Sequence, residues 1–152
     1  MKKKKDIHVL LVDDEEAFVN TLAQRLRMRE LRVDVVYTGE EALSYVKRTE
    51  PDVMVLDLRM PGIYGMEVLR ELKKSKKEVQ VIILTGHGNE KDEEEARRLG
   101  GFDFLNKPAD IDLLLRKIKE AYAEKIERAM TAIAFAEEGV FDTAQKIMKK
   151  EE

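Results

Sequence analysis

Val53-Met54-Val55-Leu56-Asp57-Leu58 is a strand-length run that is apolar throughout except for one carboxylate. Continuous rather than alternating apolarity marks a strand buried on both faces, as in a parallel sheet covered by helices. A structural carboxylate inside such a run is expensive without a partner. Asp57 therefore stands out. Comparable runs lie at Ile7–Val12, Val33–Tyr37, Val79–Leu84 and Phe102–Leu105. The second and fifth carry Asp34 and Asp103, polar members suited to edge strands.

Helical patterns separate these runs. Phe18, Leu22 and Leu26 recur at three- and four-residue spacing, as do Ala42, Tyr45 and Val46, and then Met66, Leu69 and Leu72. Thr38-Gly39-Glu40-Glu41 has the form of a capping box and predicts a helix start. Glu90 to Leu99 predicts a charged helix closed by Gly100-Gly101, and Asp110 caps the helix that opens at Ile111. A β-α unit thus repeats five times. Such alternation predicts an α/β fold, a doubly wound parallel sheet with helices on both faces. In such sheets the ligand site lies at the carboxyl ends of the strands.

Those ends carry chemistry. The first strand ends in Asp13-Asp14, the third in Asp57 followed by Leu58-Arg59-Met60-Pro61-Gly62. The fourth ends at Thr85-Gly86-His87-Gly88 and the fifth in Asn106-Lys107-Pro108. Singly, each has an ordinary explanation. An acidic pair before a helix is a cap, a threonine starts a turn, and a lysine before proline sits in a solvated loop. Together they place three carboxylates, a hydroxyl and an amine on one sheet edge. If the first and third strands are neighbours, spaced about 4.8 Å, the carboxylates face one another. At 4 Å two such charges repel by about 4 kcal/mol at an effective dielectric of 20. A hard divalent cation relieves this, and Mg2+ suits an all-oxygen donor set. With no cysteine and two histidines, zinc and copper are poor candidates.

On these residues the chain resembles the receiver domain of two-component response regulators. The resemblance runs from about residue 6 to 124 and rests on Asp13-Asp14, Asp57, Met60-Pro61-Gly62, Thr85-Gly86 and Asn106-Lys107-Pro108 in order. It implies a flavodoxin-like five-stranded sheet of order 2-1-3-4-5. It implies Asp57 as phosphoacceptor, served by a sensor histidine kinase or a phosphotransfer protein. It also implies Mg2+ held by Asp14 and Asp57, by Asp13 largely through water, and by the backbone carbonyl of Arg59. Lys107 and Thr85 would meet the phosphoryl oxygens, and Thr85 would couple to Phe104 as a switch, where many members have tyrosine. The Lys107–Pro108 peptide would be cis. Apart from accepting and losing its own phosphoryl group, such a protein is not an enzyme. Arg59 and His87 flank this site, and His87 reads as an exposed loop residue between glycines. His8, inside a buried-type strand, reads as a core histidine with a polar partner.

A haloacid-dehalogenase-type phosphatase also uses a strand-end aspartate, Mg2+, a threonine and a lysine. It needs a second aspartate two residues on, where this chain has Arg59. Gly86-His87-Gly88 lacks the third glycine of a dinucleotide fingerprint, and no P-loop sequence is present.

Composition narrows the rest. Absence of cysteine excludes disulfides, thiolate metal sites and cysteine nucleophiles. No apolar run reaches the ~20 residues of a membrane span. The lysine run Lys2–Lys5 is followed too soon by acid to be a secretory signal, so a cytoplasmic protein with no membrane contact is expected. The lysines themselves read as a solvated, disordered tip.

Residues 1–123 account for the receiver, and 124–152 form a helical extension rather than an independent domain. Apolar spacing continues through Ile126, Met130 and Ile133, predicting a helix to about Glu137 that Gly139 breaks. Asp142 would cap a second short helix with Ile147 and Met148. Residues 134–144 look like the turn of a helical-hairpin repeat, similar to one tetratricopeptide unit. The apolar positions of this tail need cover, by fold-back, a homodimer seam or a partner helix. From Arg116 onward eight basic and eight acidic residues balance. Direct DNA binding is therefore not expected of it, and signalling by contact with a downstream protein is.

Overall fold

The structure is a computed structural model that describes residues 6–60, 62–86 and 88–150, with side chains to residue 139. The lysine run at 1–5, Pro61, His87 and the side chains of Asp142, Ile147 and Met148 lie outside the described residues. Among these residues five strands alternate with five helices. They are β1 (His8–Val12), α1 (Glu16–Arg27), β2 (Arg32–Val36), α2 (Gly39–Arg48), β3 (Val53–Leu56), α3 (Gly65–Ser75), β4 (Gln80–Thr85), α4 (Glu90–Arg98), β5 (Asp103–Asn106) and α5 (Ile111–Lys150). All strand pairs are parallel, in the order β2-β1-β3-β4-β5. The continuous apolar runs are explained by two cores, one on each face. Val9, Leu11, Val53, Val55, Ile82 and Leu84 point to one face and pack with α1 and α5. Leu10, Val12, Met54, Leu56, Val81 and Ile83 point to the other and pack with α2, α3 and α4. The edge strands β2 and β5 are only partly buried, which is why Asp34 and Asp103 fit there.

The helix ends follow the sequence closely. Thr38 Oγ1 accepts the Glu41 N–H at 3.1 Å. Asp110 Oδ1 accepts the N–H groups of Asp112 and Leu113. Gly100 takes a φ of 89°, the left-handed turn that lets α4 end. The capping box of α4, Asn89 with Asp92, adds a fourth cap.

His8 is buried with polar partners. Tyr45 donates its single hydroxyl hydrogen to Asp34, so its oxygen accepts from His8 Nε2–H at 2.7 Å. The Tyr45 hydroxyl holds the Asp34 carboxyl below the usual carboxylate range. A carboxyl lowered in the folded state stabilises the fold above its unfolded pKa and loses that contribution as pH falls through the folded one. Tyr45→Phe should therefore cost about 1 kcal/mol at neutral pH. The gap from the parent should narrow on acidification below about pH 4. Urea unfolding across pH checks both.

The chain divides into two compact units, Met1–Tyr122 and Ala123–Glu152. The described part of the second is helix as far as Lys150, and one expectation for it fails. Gly139 does not break α5, which continues to Lys150. A single glycine costs only about 1 kcal/mol in a helix, and alanine and glutamate neighbours favour helix on its N-terminal side. The helical-hairpin turn expected at residues 134–144 is therefore absent. Ile126, Met130, Ile133 and Phe135 are exposed in this helix.

Candidate functional site

Strand register builds the site. Val12 pairs with Leu56, so the next residues, Asp13 and Asp57, emerge side by side from β1 and β3. The Asp57 N–H donates to the Val12 carbonyl at 3.0 Å, which fixes the two ends together. From the far side, the Lys107 N–H donates to the Thr85 carbonyl at 3.0 Å, so β4 carries the loop after β5 into place. The Lys107–Pro108 peptide of that loop is cis.

Carboxylate oxygens of Asp13, Asp14 and Asp57 lie within 4.8 Å of one another. Asp13 and Asp57 are buried while Asp14 is exposed. Burial pushes the Asp13 carboxyl above its ordinary value, against the hydrogen bonds from Lys107 and from the Glu15 N–H, and Asp57 beside it adds repulsion. Lys107 offsets part of this charge. Its Nζ stands 2.7 Å from Asp13, 3.3 Å from Glu15 and 3.4 Å from Asp57. Burial works against the ammonium, but these partners, Asp13 first, hold its pKa above the ordinary lysine value. The donor set is all oxygen and converges on one point, which fits a hard cation and excludes a thiolate or imidazole site here.

Thr85 is fully buried at the end of β4, and Phe104 is half-buried on β5 on the same face of the sheet. The Arg59 N–H reaches back to Asp57 Oδ1 at 3.4 Å, while the Arg59 residue as a whole is exposed. It borders a cleft of about 630 Å3 shared with Met60, Tyr64 and Arg70.

Two contacts of Lys107 are not legible from residue types. Glu15 reads as one more acid before a helix, and Phe18 as a core position of α1. In the fold Glu15 is an ion-pair partner, and the Lys107 Nζ stands 4.6 Å from the centre of the Phe18 ring. Gly65 is a third. A Cβ there would stand 2.4 Å from the Asp57 carbonyl oxygen and 2.8 Å from Leu58 Cα. Helix α3 thus starts against the backbone that carries Asp57. Gly65→Ala should lower stability by about 2 kcal/mol, seen as a reduced urea midpoint at unchanged slope.

Residues 9–119 match the family model of the response regulator receiver domain. The chain belongs to this family, and it carries the receiver domain of a response regulator. It is 38% identical over 117 residues to Transcriptional regulatory protein GlrR of Escherichia coli (strain K12), covering 77% of this chain and 26% of GlrR. It is 35% identical over 137 residues to Transcriptional regulatory protein FixJ of Rhizobium meliloti (strain 1021), covering 90% of this chain and 63% of FixJ. Among solved structures, the signal receiver domain of a Luxo repressor protein from Vibrio parahaemolyticus superposes with a TM-score of 0.79 at 26% identity. That match covers 84% of this chain and 98% of the other. The chain therefore spans about a quarter of GlrR and less than two thirds of FixJ. Receiver domains accept phosphoryl groups and bind Mg2+ at an acidic pocket. Among the described residues, no helix is long and apolar enough to cross a membrane.

Proposed function

We propose that Asp57 is the phosphoacceptor, taking a phosphoryl group from a histidine kinase, a phosphotransfer protein or a small acyl phosphate. The observation that carries this is the buried Asp57 carboxylate facing a lysine, Lys107, that reaches it at 3.4 Å from the end of another strand. The carboxylates of Asp13, Asp14 and Asp57, with the Arg59 carbonyl, would hold Mg2+, whose charge when bound offsets that of the transferring oxygens. Asp57 presents its carboxylate at a fixed strand end, so little orientation is lost in reaching an in-line arrangement. The Lys107 ammonium supplies positive charge for an equatorial oxygen, and the Thr85 hydroxyl supplies a hydrogen bond. Phe104 responds to the place Thr85 takes. Incubation with acetyl phosphate and Mg2+ followed by intact mass tests the reading: one phosphoryl adduct is expected, and none when Mg2+ is chelated before the phosphodonor is added.

The relatives are transcriptional regulators by name, and they extend beyond the matched region. Residues 116–152 of this chain balance in charge. The output these residues can supply is contact with a protein. Tyr122, Ile126, Ala129, Ile133 and Ala136 follow alternating four- and three-residue steps, the seam spacing of a two-helix coil. Ile126 and Ile133 in that series are exposed. A second copy of the chain is the partner proposed for this seam. Sedimentation should give a dimer for the whole chain and a monomer when residues 124–152 are removed.

A further inference from the structure

Gly88 lies in the loop between Thr85 and the first turn of α4. Space demands a glycine there. A Cβ built at Gly88 would stand 2.3 Å from Phe104 Cζ, 2.8 Å from Phe104 Cε1 and 2.8 Å from Thr85 Cγ2. The edge of the Phe104 ring and the methyl of Thr85 therefore converge on the one place where a side chain of residue 88 would be. The neighbouring glycines Gly86 and Gly101 lack that arrangement. A Cβ at Gly86 meets only the Lys107 side chain, at 3.8 Å and beyond, and Gly101 is crowded by the Ala96 backbone.

We propose that Gly88 is a positioning residue for the Thr85–Phe104 pair. It is the seat that lets the ring lie beside Thr85, and this proposal deepens the reading of Asp57, Thr85 and Phe104 given above. The ring is at the far end of a side chain with two rotatable bonds, and Phe104 is half-buried, so it can swing away. The Gly88 backbone cannot yield as cheaply, because the next residue, Asn89, is tied into α4. Asn89 Oδ1 accepts the Asp92 N–H at 3.0 Å, and the Asn89 N–H donates to Asp92. A methyl at position 88 therefore expels the ring before it moves the loop. It also presses on Thr85, the residue whose hydroxyl is needed at the phosphoryl group. Residue 88 thus sets which ring position is open, and through the Thr85 methyl it reaches the reacting centre without touching it.

The test is a double-mutant cycle on the full chain, with Gly88→Ala, Phe104→Ala and the two combined. Melting temperature is measured without phosphodonor, and the rate of labelling by acetyl phosphate with Mg2+ is followed by intact mass. Gly88→Ala alone should lower the melting temperature by about 4 °C or more. It should also shift the Phe104 ring resonances, assigned by their loss in Phe104→Ala. In the Phe104→Ala background, the same substitution should cost less than half as many degrees, because two of its three close contacts are gone. The labelling rate should change at least threefold in the parent background and by a smaller factor without the ring. Equal losses in the two backgrounds, or ring resonances that do not move, overturn the proposal, since the methyl would then act on the loop alone. If Gly88→Ala does not fold, the combined variant must fold for the proposal to stand. The temperature and resonance arms need no phosphoryl chemistry. Failure of labelling in the parent protein would therefore sink the assignment of Asp57 while leaving the ring seat separately judged.

Discussion

Asp57→Asn takes up no phosphoryl group from acetyl phosphate and Mg2+, while the parent protein gains one. The expected loss is complete, because an amide oxygen lacks the lone-pair charge that makes the carboxylate a nucleophile. The substitution should not unfold the chain. Asn is close in volume to Asp, and it removes one of three clustered acids that repel at short range. The melting temperature without Mg2+ should therefore stay level or rise. Peptide mapping of the parent should place the adduct on the peptide containing residue 57. An adduct of undiminished yield in Asp57→Asn, carried on Asp13 or Asp14 instead, would show that the wrong acid has been assigned.

Lys107→Ala should slow labelling by roughly 10²-fold or more, the usual consequence of removing one preorganised group from developing negative charge. The ammonium faces Asp13, Glu15 and Asp57 at once, so its loss leaves these three acids without their shared cation. The fold should nevertheless persist. Asp14 and Glu15 are exposed and screened by water, and Asp13 keeps the Glu15 N–H at 2.9 Å. A cooperative thermal transition should remain, and Mg2+ should raise it more than in the parent, since the ion then meets an uncompensated pocket. Lys107→Arg should restore only part of the rate. A planar guanidinium does not replace a compact point charge seated 4.6 Å from the Phe18 ring centre. Loss of the cooperative transition in Lys107→Ala would instead mean that the lysine chiefly holds the fold together.

The fold was legible for a simple reason. Each buried strand must be apolar on both faces, so five runs and the helices between them appear directly in the residue types. The strand ends were legible too, because Asp57 interrupts such a run and Asp13-Asp14 and Lys107 each sit just past one. Local caps at Thr38, Asp110 and Gly100 followed from side-chain chemistry within a few residues. The error at Gly139 has the same local origin. A glycine there reads as a stop, yet its cost in a helix is smaller than the preference of the surrounding residues.

What local pattern cannot carry is contact between distant positions. Lys107 meets Asp57 across 50 positions of sequence and Glu15 across 92. Nothing in the residue type of Glu15 or Phe18 distinguishes them from an ordinary first turn of a helix. Gly65 and Gly88 look alike in the sequence, as loop glycines before a helix. Only the packed structure separates them, one pressed against the Asp57 backbone and the other against the Phe104 ring. Residue types alone carry the layer architecture and the acids, hydroxyl and amine at the strand ends, because burial and periodicity act residue by residue. Which of those groups touch, and which glycines the contacts require, emerges only from the packed fold, because close packing is set by partners far away along the chain.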